Sequence, residues 1–346
     1  MNRQVTPVKV GDLQIDGRKI FIQSMLSRPA SDIEANVLQA AELEEAGCEI
    51  LRVAIPNYEA IKLIGAIKKS INIPLVADIH FDYRLALAAI DAGIDKIRIN
   101  PGNIGDDERV RQVVNACKSA DVPIRIGVNA GSLEKEILKK YKVPTSQALV
   151  ESAMNHVSLL EKHDFHDIVI SIKSSNVGTM VESYRLLAKE CNYPLHLGVT
   201  EAGTERMGLI KSAIGIGSLL LDDIGETIRV SLTADPVKEI SAAKDILRSI
   251  GRYGGVEVIS CPTCGRTNID LISLANKVEN ALSGLDKNIK VAVMGCAVNG
   301  PGEAREADIG IAGGDGTVLI FKHGEILRKV KEEDALSELI KEIEQM

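Results

Sequence analysis

Short apolar runs rich in β-branched residues alternate with amphipathic helical segments from Ile20 to about Ile250. The runs are apolar along their length rather than cleanly alternating, which is typical of parallel strands whose faces are covered by helices. The helical segments carry stop signals; Asp32–Ala46, for example, is followed by Gly47. The predicted strands are Ile20–Gln23, Ile50–Val53, Leu75–Asp78, Lys96–Ile99, Ile124–Val128, Ile168–Ile172, Leu195–Val199 and Ile228–Leu232. About eight strand–helix units fit an α/β TIM barrel, (β/α)8, better than an open doubly wound sheet.

A glycine-rich joint at Gly251–Gly255 interrupts this alternation. The elements predicted beyond it are the strands Val256–Ser260, Ile289–Met294, Asp308–Ala312 and Thr317–Phe321, a helix over Asp270–Leu282 and a charged terminal helix from about Glu332. So few elements of mixed type indicate a small α+β domain. The sequence therefore predicts two domains, over residues 1–252 and 253–346.

The charge and hydropathy of the chain limit its partners and its location. The formal net charge is −7, which argues against nucleic acid as the main partner because phosphate backbones select a basic surface. We find no signal peptide, and no apolar run approaches the ~18–20 residues that span a bilayer. We expect a cytoplasmic protein without a membrane segment. Six cysteines in such a protein indicate reduced thiols or metal ligands rather than disulfides.

Three cysteines lie in the small domain, in turns that directly follow predicted strands. Cys261 and Cys264 belong to SCPTCGRT, and Cys296 belongs to MGCAVNGPGEA. A zinc knuckle has the same pair spacing, but a structural zinc site needs four closed ligands and the second turn offers one cysteine. Three thiolates and one oxygen ligand suit a [4Fe–4S] cluster with one exchangeable iron. Spacing favours iron–sulfur and leaves zinc open.

Glu303 is the candidate oxygen ligand. It follows Cys296 by seven residues in the turn-rich stretch NGPGE. A solvated surface carboxylate is the commoner fate of a glutamate. The glycine–proline–glycine turn before Glu303 is nevertheless shaped rather than flexible, and it begins at a predicted ligand.

Cations within or at the ends of five predicted strands suggest an anion site in the barrel. They are Arg52, Arg98, Arg125, Lys173 and Arg229. Burying one of these cations without a partner is costly. Hydrogen-bonding residues also lie at the carboxyl ends of the predicted strands, where the active sites of barrels form. These include Asn100, Asn129, Ser175 and Ser231. Guanidinium groups together with hydroxyls and amides are typical of a site that binds phosphate or diphosphate.

Acid–base candidates occur at the same strand ends. They are Asp78 and His80 in ADIHF and Glu201 in GVTEAG. A carboxylate here can also serve only as an ion-pair partner for the arginines, and this alternative is strongest for Asp78.

Taken together, LRVA, ADIHF, IRINPGN, IRIGVNAGSL, ISIKSSN, LGVTEAG, LLLDDIGETIRVSLT, ISCPTCGRT and MGCAVNGPGEA resemble the 4-hydroxy-3-methylbut-2-enyl diphosphate synthase family. The resemblance runs in order from about Val5 to Lys322. It implies an iron–sulfur oxidoreductase that opens the ring of 2-C-methyl-D-erythritol 2,4-cyclodiphosphate and removes a hydroxyl with two electrons. That reaction belongs to the methylerythritol phosphate route to isoprenoids.

The resemblance also assigns roles to individual residues. It implies that the cluster ligands are Cys261, Cys264, Cys296 and Glu303, and that Glu201 is the acid beside the reacting carbons. The implied diphosphate ligands are Arg52, Arg98, Arg125, Asn129, Lys173, Arg229 and Ser231. The direct joint between barrel and cluster domain resembles the bacterial two-domain form. That form implies a head-to-tail homodimer in which one subunit's cluster caps the other's barrel, with reduced flavodoxin or ferredoxin as electron donor.

Two alternatives of other classes stay open on the residues alone. The first is a barrel that binds a sugar phosphate, with a structural zinc ribbon as a dimerisation module. The second is a barrel aldolase, for which Lys173 is the candidate Schiff-base lysine.

Overall fold

The structure is a computed structural model and describes residues 3–285, 287–296, 302 and 304–346. By its internal contacts the chain divides into two compact units, Met1–Ile250 and Gly251–Met346. Strands of the first unit are β1 (Val8–Val10), β2 (Leu13–Ile15), β3 (Phe21–Met25), β4 (Ile50–Ala54), β5 (Leu75–Asp78), β6 (Lys96–Ile99), β7 (Ile124–Asn129), β8 (Ile168–Lys173), β9 (His196–Leu197) and β10 (Thr227–Ile228).

Strands β3 to β10 form the barrel that the alternation predicts. Their order in the sheet is β8-β7-β6-β5-β4-β3-β10-β9, and every pair is parallel. A parallel bridge between Ile170 and Leu195 joins the two ends of this order. The TIM-barrel prediction is confirmed, and the carboxyl ends of eight strands surround one opening, here called the mouth.

Helices cover the outside of the barrel. They are α1 (Ile33–Glu45), α2 (Ile61–Ile67), α3 (Tyr83–Asp91), α4 (Asp107–Ala120), α5 (Lys135–Tyr141), α6 (Ser146–Glu161), α7 (Val177–Glu190), α8 (Glu205–Leu221) and α9 (Pro236–Ser249). Helix α3 shows why the sequence folds this way. The Asp82 carboxylate caps it by accepting a hydrogen bond from the Arg84 amide, and Leu85 and Ala89 on its inner face are buried.

An N-terminal hairpin closes the barrel at the amino ends of the strands. Strands β1 and β2 pair antiparallel, and Val8, Val10 and Ile15 are fully buried. They pack with Phe21, Ile50, Val76 and Val169 at the amino ends of the barrel strands. This apolar floor closes the lower end of the barrel interior, here called the bore.

The second unit is a mixed sheet with helices. Its elements are β11 (Val256–Ser260), α10 (Leu271–Leu282), β12 (Ile289–Met294), β13 (Ile309–Gly313), β14 (Thr317–Lys322), β15 (Glu325–Lys331) and α11 (Ala335–Glu344). The sheet order is β11-β12-β13-β14-β15, parallel over the first three strands and antiparallel over the last three. The α+β prediction for this unit is confirmed.

Three details differ from the predicted elements. Strands β9 and β10 are only two residues long, because the chain leaves the sheet early where it approaches the mouth. Both the hairpin β1–β2 and the edge strand β15 were not predicted. The β15 sequence EILRKVK is charged enough to obscure its alternation, and such charges are typical of edge strands.

Within the part of the chain that the structure describes, no helix combines the length and the apolar character needed to cross a membrane.

Candidate active site

A cavity of about 580 Å³ lies at the carboxyl ends of the barrel strands. It is lined by Arg52, His80, Arg98, Asn129, Ala130, Gly131, Ser132, Pro144, Lys173, Ser174, Ser175, Thr200 and Glu201. Seven of these residues were predicted to act in the site, namely Arg52, His80, Arg98, Asn129, Lys173, Ser175 and Glu201. The cavity therefore brings together cations, hydroxyls and one carboxyl group from different strands.

Asp78 organises the cationic wall of this cavity. Its Oδ2 accepts a hydrogen bond from Arg52 Nη2 at 2.5 Å, and its Oδ1 accepts one from Arg98 Nη1 at 3.3 Å. The Nε2 of His80 lies 3.4 Å from both Asp78 Oδ2 and Arg98 Nη1. A single carboxylate thus orients two guanidinium groups, which is the arrangement that the ion-pair alternative for Asp78 describes.

Burial and charge oppose one another in this network. Burial alone raises the pKa of Asp78, but Arg52, His80 and Arg98 together hold that pKa well below its ordinary value. Burial lowers the pKa of Arg52 to about 10, against the opposing effect of Asp78. Both groups are ionised at neutral pH, so the wall carries more positive than negative charge.

Gly127 makes the position of Arg98 possible. A Cβ at Gly127 would lie 2.3 Å from Arg98 Nε. The missing side chain leaves room for the guanidinium, which also donates to the Gly127 carbonyl at 3.4 Å. Any larger residue would displace Arg98 from the cavity wall.

Lys173 stands at the end of β8 opposite Asn129, its partner in the β7–β8 ladder. Burial lowers the pKa of its ammonium well below the ordinary value, and Arg52, Arg125, Arg229 and Arg98 lower it further. Since burial and these four arginines all disfavour the ammonium, a bound anion is what would favour its charged form.

Glu201 is exposed at the cavity wall and has a strained backbone. Its φ is +51°, in the left-handed region that non-glycine residues rarely occupy. Such strain persists where the surrounding structure fixes it, and it is concentrated at functional sites. The strained backbone places the Glu201 carboxyl in the same cavity as the cations.

Four residues predicted for the diphosphate site, besides Asp78, do not line the cavity. Arg125 is fully buried, and its Nη1 donates across the bore to Gln23 Oε1 at 3.2 Å. Arg229 pairs with Glu239, with Nε 3.4 Å from Oε2. Asn100 uses its side chain to cap the turn at Pro101–Asn103, and Ser231 is half-buried beside Arg229.

Sequence reasoning missed several residues of this region. Thr200, Gly131 and Pro144 line the cavity from loops, where no strand pattern singles them out. Glu239, on α9, was hidden inside a helical pattern although its carboxylate pairs with Arg229. Lys96 opens the strand KIRI and is fully buried, so its charge in a buried strand was a usable signal.

The predicted metal ligands follow two neighbouring strands of the second unit. Cys261 directly follows β11, and Cys296 follows β12, its parallel neighbour. The Gly295 amide donates to Cys261 Sγ at 3.2 Å. Cys264 is exposed, and hydrogen bonds from the backbone and side chain of Arg266 lower the pKa of its thiol. Glu303 lies outside the described residues.

These thiols fit an iron–sulfur cluster in their chemistry. Amide donors to sulfur and a lowered thiol pKa favour the thiolates that such clusters require. Over residues 3–285, 287–296, 302 and 304–346, no three His, Cys, Asp or Glu side chains stand close enough together to hold one metal ion.

A larger cavity, of about 720 Å³, lies in the second unit between α10 and residues 331–336. Its lining mixes Asp270, Glu332 and Glu333 with Lys277 and Lys331. None of the predicted site residues lines it, and its carboxylates disfavour an anionic substrate. Size alone therefore does not identify the active site.

Comparison with known proteins gives one family over both units. The profile of the GcpE TIM-barrel domain matches residues 5–244, and that of the GcpE protein C-terminal domain matches residues 257–345. A relative from Clostridium perfringens is 63% identical over 99% of both chains. One from Listeria monocytogenes is 58% identical over 98% of this chain and 92% of its own. Both relatives are named 4-hydroxy-3-methylbut-2-en-1-yl diphosphate synthase (flavodoxin).

Among solved structures, dihydropteroate synthase from Stenotrophomonas maltophilia is similar with a TM-score of 0.53 and 14% identity. The match covers 71% of this chain and 98% of that one. The enzyme from Vibrio fischeri gives a TM-score of 0.51 at 13% identity. At such low identity the likeness concerns the fold alone.

Proposed function

This chain belongs to the GcpE family, and we propose that it converts 2-C-methyl-D-erythritol 2,4-cyclodiphosphate to (E)-4-hydroxy-3-methylbut-2-enyl diphosphate. Two electrons and one proton enter the reaction, the ring opens, and one water leaves. The observation that carries the proposal is a cavity at the barrel mouth that combines Arg52, Arg98 and Lys173 with the carboxyl group of Glu201. The cations bind the negatively charged diphosphate, and the carboxyl group supplies the proton.

In this proposal, different residues of the first unit bind the diphosphate and supply the proton. Arg52 and Arg98, oriented by Asp78, bind diphosphate oxygens through charge-assisted hydrogen bonds. Lys173 and the hydroxyls of Ser174 and Ser175 complete the anion site. Glu201 holds the proton that leaves with the departing hydroxyl as water.

In the second unit, Cys261, Cys264 and Cys296 are the residues that would hold a [4Fe–4S] cluster, with Glu303 proposed as the fourth ligand on the family resemblance. Such a cluster supplies electrons one at a time. Residues 1–252 then form a substrate-binding domain and residues 253–346 an electron-supplying domain. The electron donor in this proposal is reduced flavodoxin or ferredoxin, and the compartment is the cytoplasm.

We expect Arg98→Met to weaken binding of the cyclodiphosphate by about 2–4 kcal/mol, the range for losing a buried charge-assisted pair. Arg98 lines the cavity and is oriented by Asp78. Its replacement removes one of the guanidinium groups that bind the anion. Calorimetry measures the affinity, and Arg84→Met, which changes an exposed arginine paired with Asp82, is the matched control. Unchanged affinity in Arg98→Met would show that this arginine is structural.

Helix α8 supports the proposed homodimer. Met207, Ile210, Ile214 and Leu221 recur at helical spacing on one stripe and are 48%, 41%, 57% and 68% exposed. Several exposed apolar side chains on one side of a helix are typical of a protein–protein contact. We propose a second copy of the chain as its partner.

We expect Ile214→Lys to shift the full-length protein from dimer to monomer in sedimentation velocity, because it places a charge in the middle of that stripe. Leu38→Lys is the matched control, since Leu38 is 59% exposed on α1. A dimer that survives Ile214→Lys at low micromolar concentration would place the interface elsewhere.

The proposed reaction is tested by incubating anaerobically purified protein with the cyclodiphosphate and reduced flavodoxin. Mass spectrometry should find the hydroxymethylbutenyl diphosphate, and its formation should require the reductant. Conversion that proceeds equally without reductant would indicate a non-redox barrel enzyme. Borohydride trapping of a carbonyl substrate on Lys173 would then identify the aldolase alternative.

A further inference from the structure

Lys96 is a buried amine that the proposed mechanism does not use. It is fully buried at the start of β6, and its Nζ has no hydrogen-bond partner among the described residues. Its ladder partner on β5 is Val76, which belongs to the apolar floor. The backbone of Lys96 therefore lies level with the apolar floor, at the amino end of its strand, while the cavity lies at the carboxyl ends of the strands.

The surroundings of Lys96 are cationic. Arg125 is fully buried, and its Nε and Nη2 lack partners among the described residues. The same holds for Nε and Nη1 of Arg52, whose remaining nitrogen binds Asp78. Among the described residues of the barrel strands, the buried side-chain atoms without a partner are thus all hydrogen-bond donors. A charged ammonium here would be desolvated and repelled by two guanidinium groups.

Other charged or titratable groups of the described strands and helices also face the barrel interior, and most already have partners. They include Asp78 on β5, Arg98 on β6, Lys173 on β8, His196 on β9, Arg229 just beyond β10 and Tyr184 on α7, and the polar Gln23 lies on β3. Asp78 is already shared by Arg52 and Arg98. His196 Nδ1 is 2.8 Å from Thr227 Oγ1. Burial, followed by Arg125 and Arg52, lowers the pKa of Lys96 well below its ordinary value.

We propose that Lys96 is a neutral amine in the free protein and takes up a proton when a diphosphate anion occupies the cavity above it. This inference rests on the proposed function, because it needs an anion at the cations of the mouth. The bound anion adds negative charge within the same low-dielectric interior and so stabilises the ammonium. Lys96 is therefore a positioning residue: it adds a charge below the substrate without touching it.

The sign of the pH dependence follows directly. A proton is taken up on binding, so the affinity for the anion falls as pH rises between the pKa of Lys96 in the free and in the bound protein. The slope approaches about tenfold per pH unit for one proton. In the free protein the pKa of Lys96 is lower than in the unfolded chain. Lys96 therefore reduces the free energy of unfolding at pH values below its pKa in the unfolded chain, and the reduction grows as the pH falls towards its pKa in the folded protein.

Calorimetry of the full-length protein with inorganic pyrophosphate, in two buffers of different ionisation enthalpy, counts the protons taken up. Pyrophosphate contributes its own protons, so the decisive quantity is the difference between wild type and Lys96→Met. We expect wild type to take up nearly one more proton. Lys189→Met, an exposed lysine on α7, should behave as wild type. Equal uptake in wild type and Lys96→Met, with binding and turnover retained, would overturn the inference and leave the proposed function standing.

Lysine labelled with ¹³C at Cε gives a second measurement that does not depend on the folding of a variant. We expect the Lys96 resonance at the position of a neutral amine in the free wild-type protein, alongside that of Lys173, whose pKa is also lowered, and we expect pyrophosphate to move the Lys96 resonance to the charged position. That resonance should be missing from Lys96→Met. Finding every lysine charged before pyrophosphate is added would overturn the proposal, as would a failure of pyrophosphate to bind, which would also refute the anion site.

Discussion

Replacing Glu201 by glutamine is expected to slow turnover by about 10²–10⁴-fold, the usual contribution of a positioned general acid, while substrate affinity changes little. Glutamine keeps the size and polarity of the side chain but cannot supply the proton for the departing hydroxyl. The strained φ of +51° at this position should be unaffected, since the backbone around it is unchanged. Single-turnover kinetics with chemically reduced enzyme, together with calorimetric binding, separates the two effects.

Glu205→Gln is the matched control for this experiment. Glu205 is exposed at the start of α8, four residues further along the chain, and pairs with Lys238 away from the cavity lining. It should turn over at the wild-type rate. Near-normal turnover in Glu201→Gln would reassign the proton to another group of the cavity, and His80, beside Asp78 and Arg98, would be the next candidate.

Cys264→Ser should remove bound iron, the visible absorption and all turnover. Hydrogen bonds from Arg266 favour the thiolate at this position, and a serine hydroxyl is a poor replacement for a thiolate at iron. Pyrophosphate binding, which we propose for the first unit, should be unchanged. Cys191→Ser is the control, because Cys191 lies at the end of α7 and donates to the Leu187 carbonyl. Full retention of iron in Cys264→Ser would exclude Cys264 as a ligand.

The barrel could be predicted from the sequence because its signals are local. Strands β5, β6, β11 and β12 have the predicted bounds, since each is a short run rich in β-branched residues between clear flanking turns. The hairpin β1–β2 was missed although VKVGDLQI alternates around a Gly–Asp turn, the usual hairpin signal. Strands of three residues fall below the length at which alternation is convincing.

The depth of a side chain in the bore could not be predicted in the same way. Arg125 and Asn129 both belong to β7 and both were expected at the substrate. Four residues of strand separate them by about 13 Å, so Asn129 reaches the cavity while Arg125 remains below it. The register of the strands gives the level of each residue along the bore, although the ladder partners Arg98 and Arg125 differ in whether they line the cavity. That register also shows that Lys96 lies deep in the bore.

Metal content distinguishes the account most directly from its zinc alternative. Iron, acid-labile sulfide and zinc should be measured per chain in one anaerobic preparation, and the same preparation should then be reduced and given a single equivalent of the cyclodiphosphate. We expect about four iron and four sulfide per chain, negligible zinc, and formation of the hydroxymethylbutenyl diphosphate. One zinc per chain with no iron, and no product after reduction, would contradict the account.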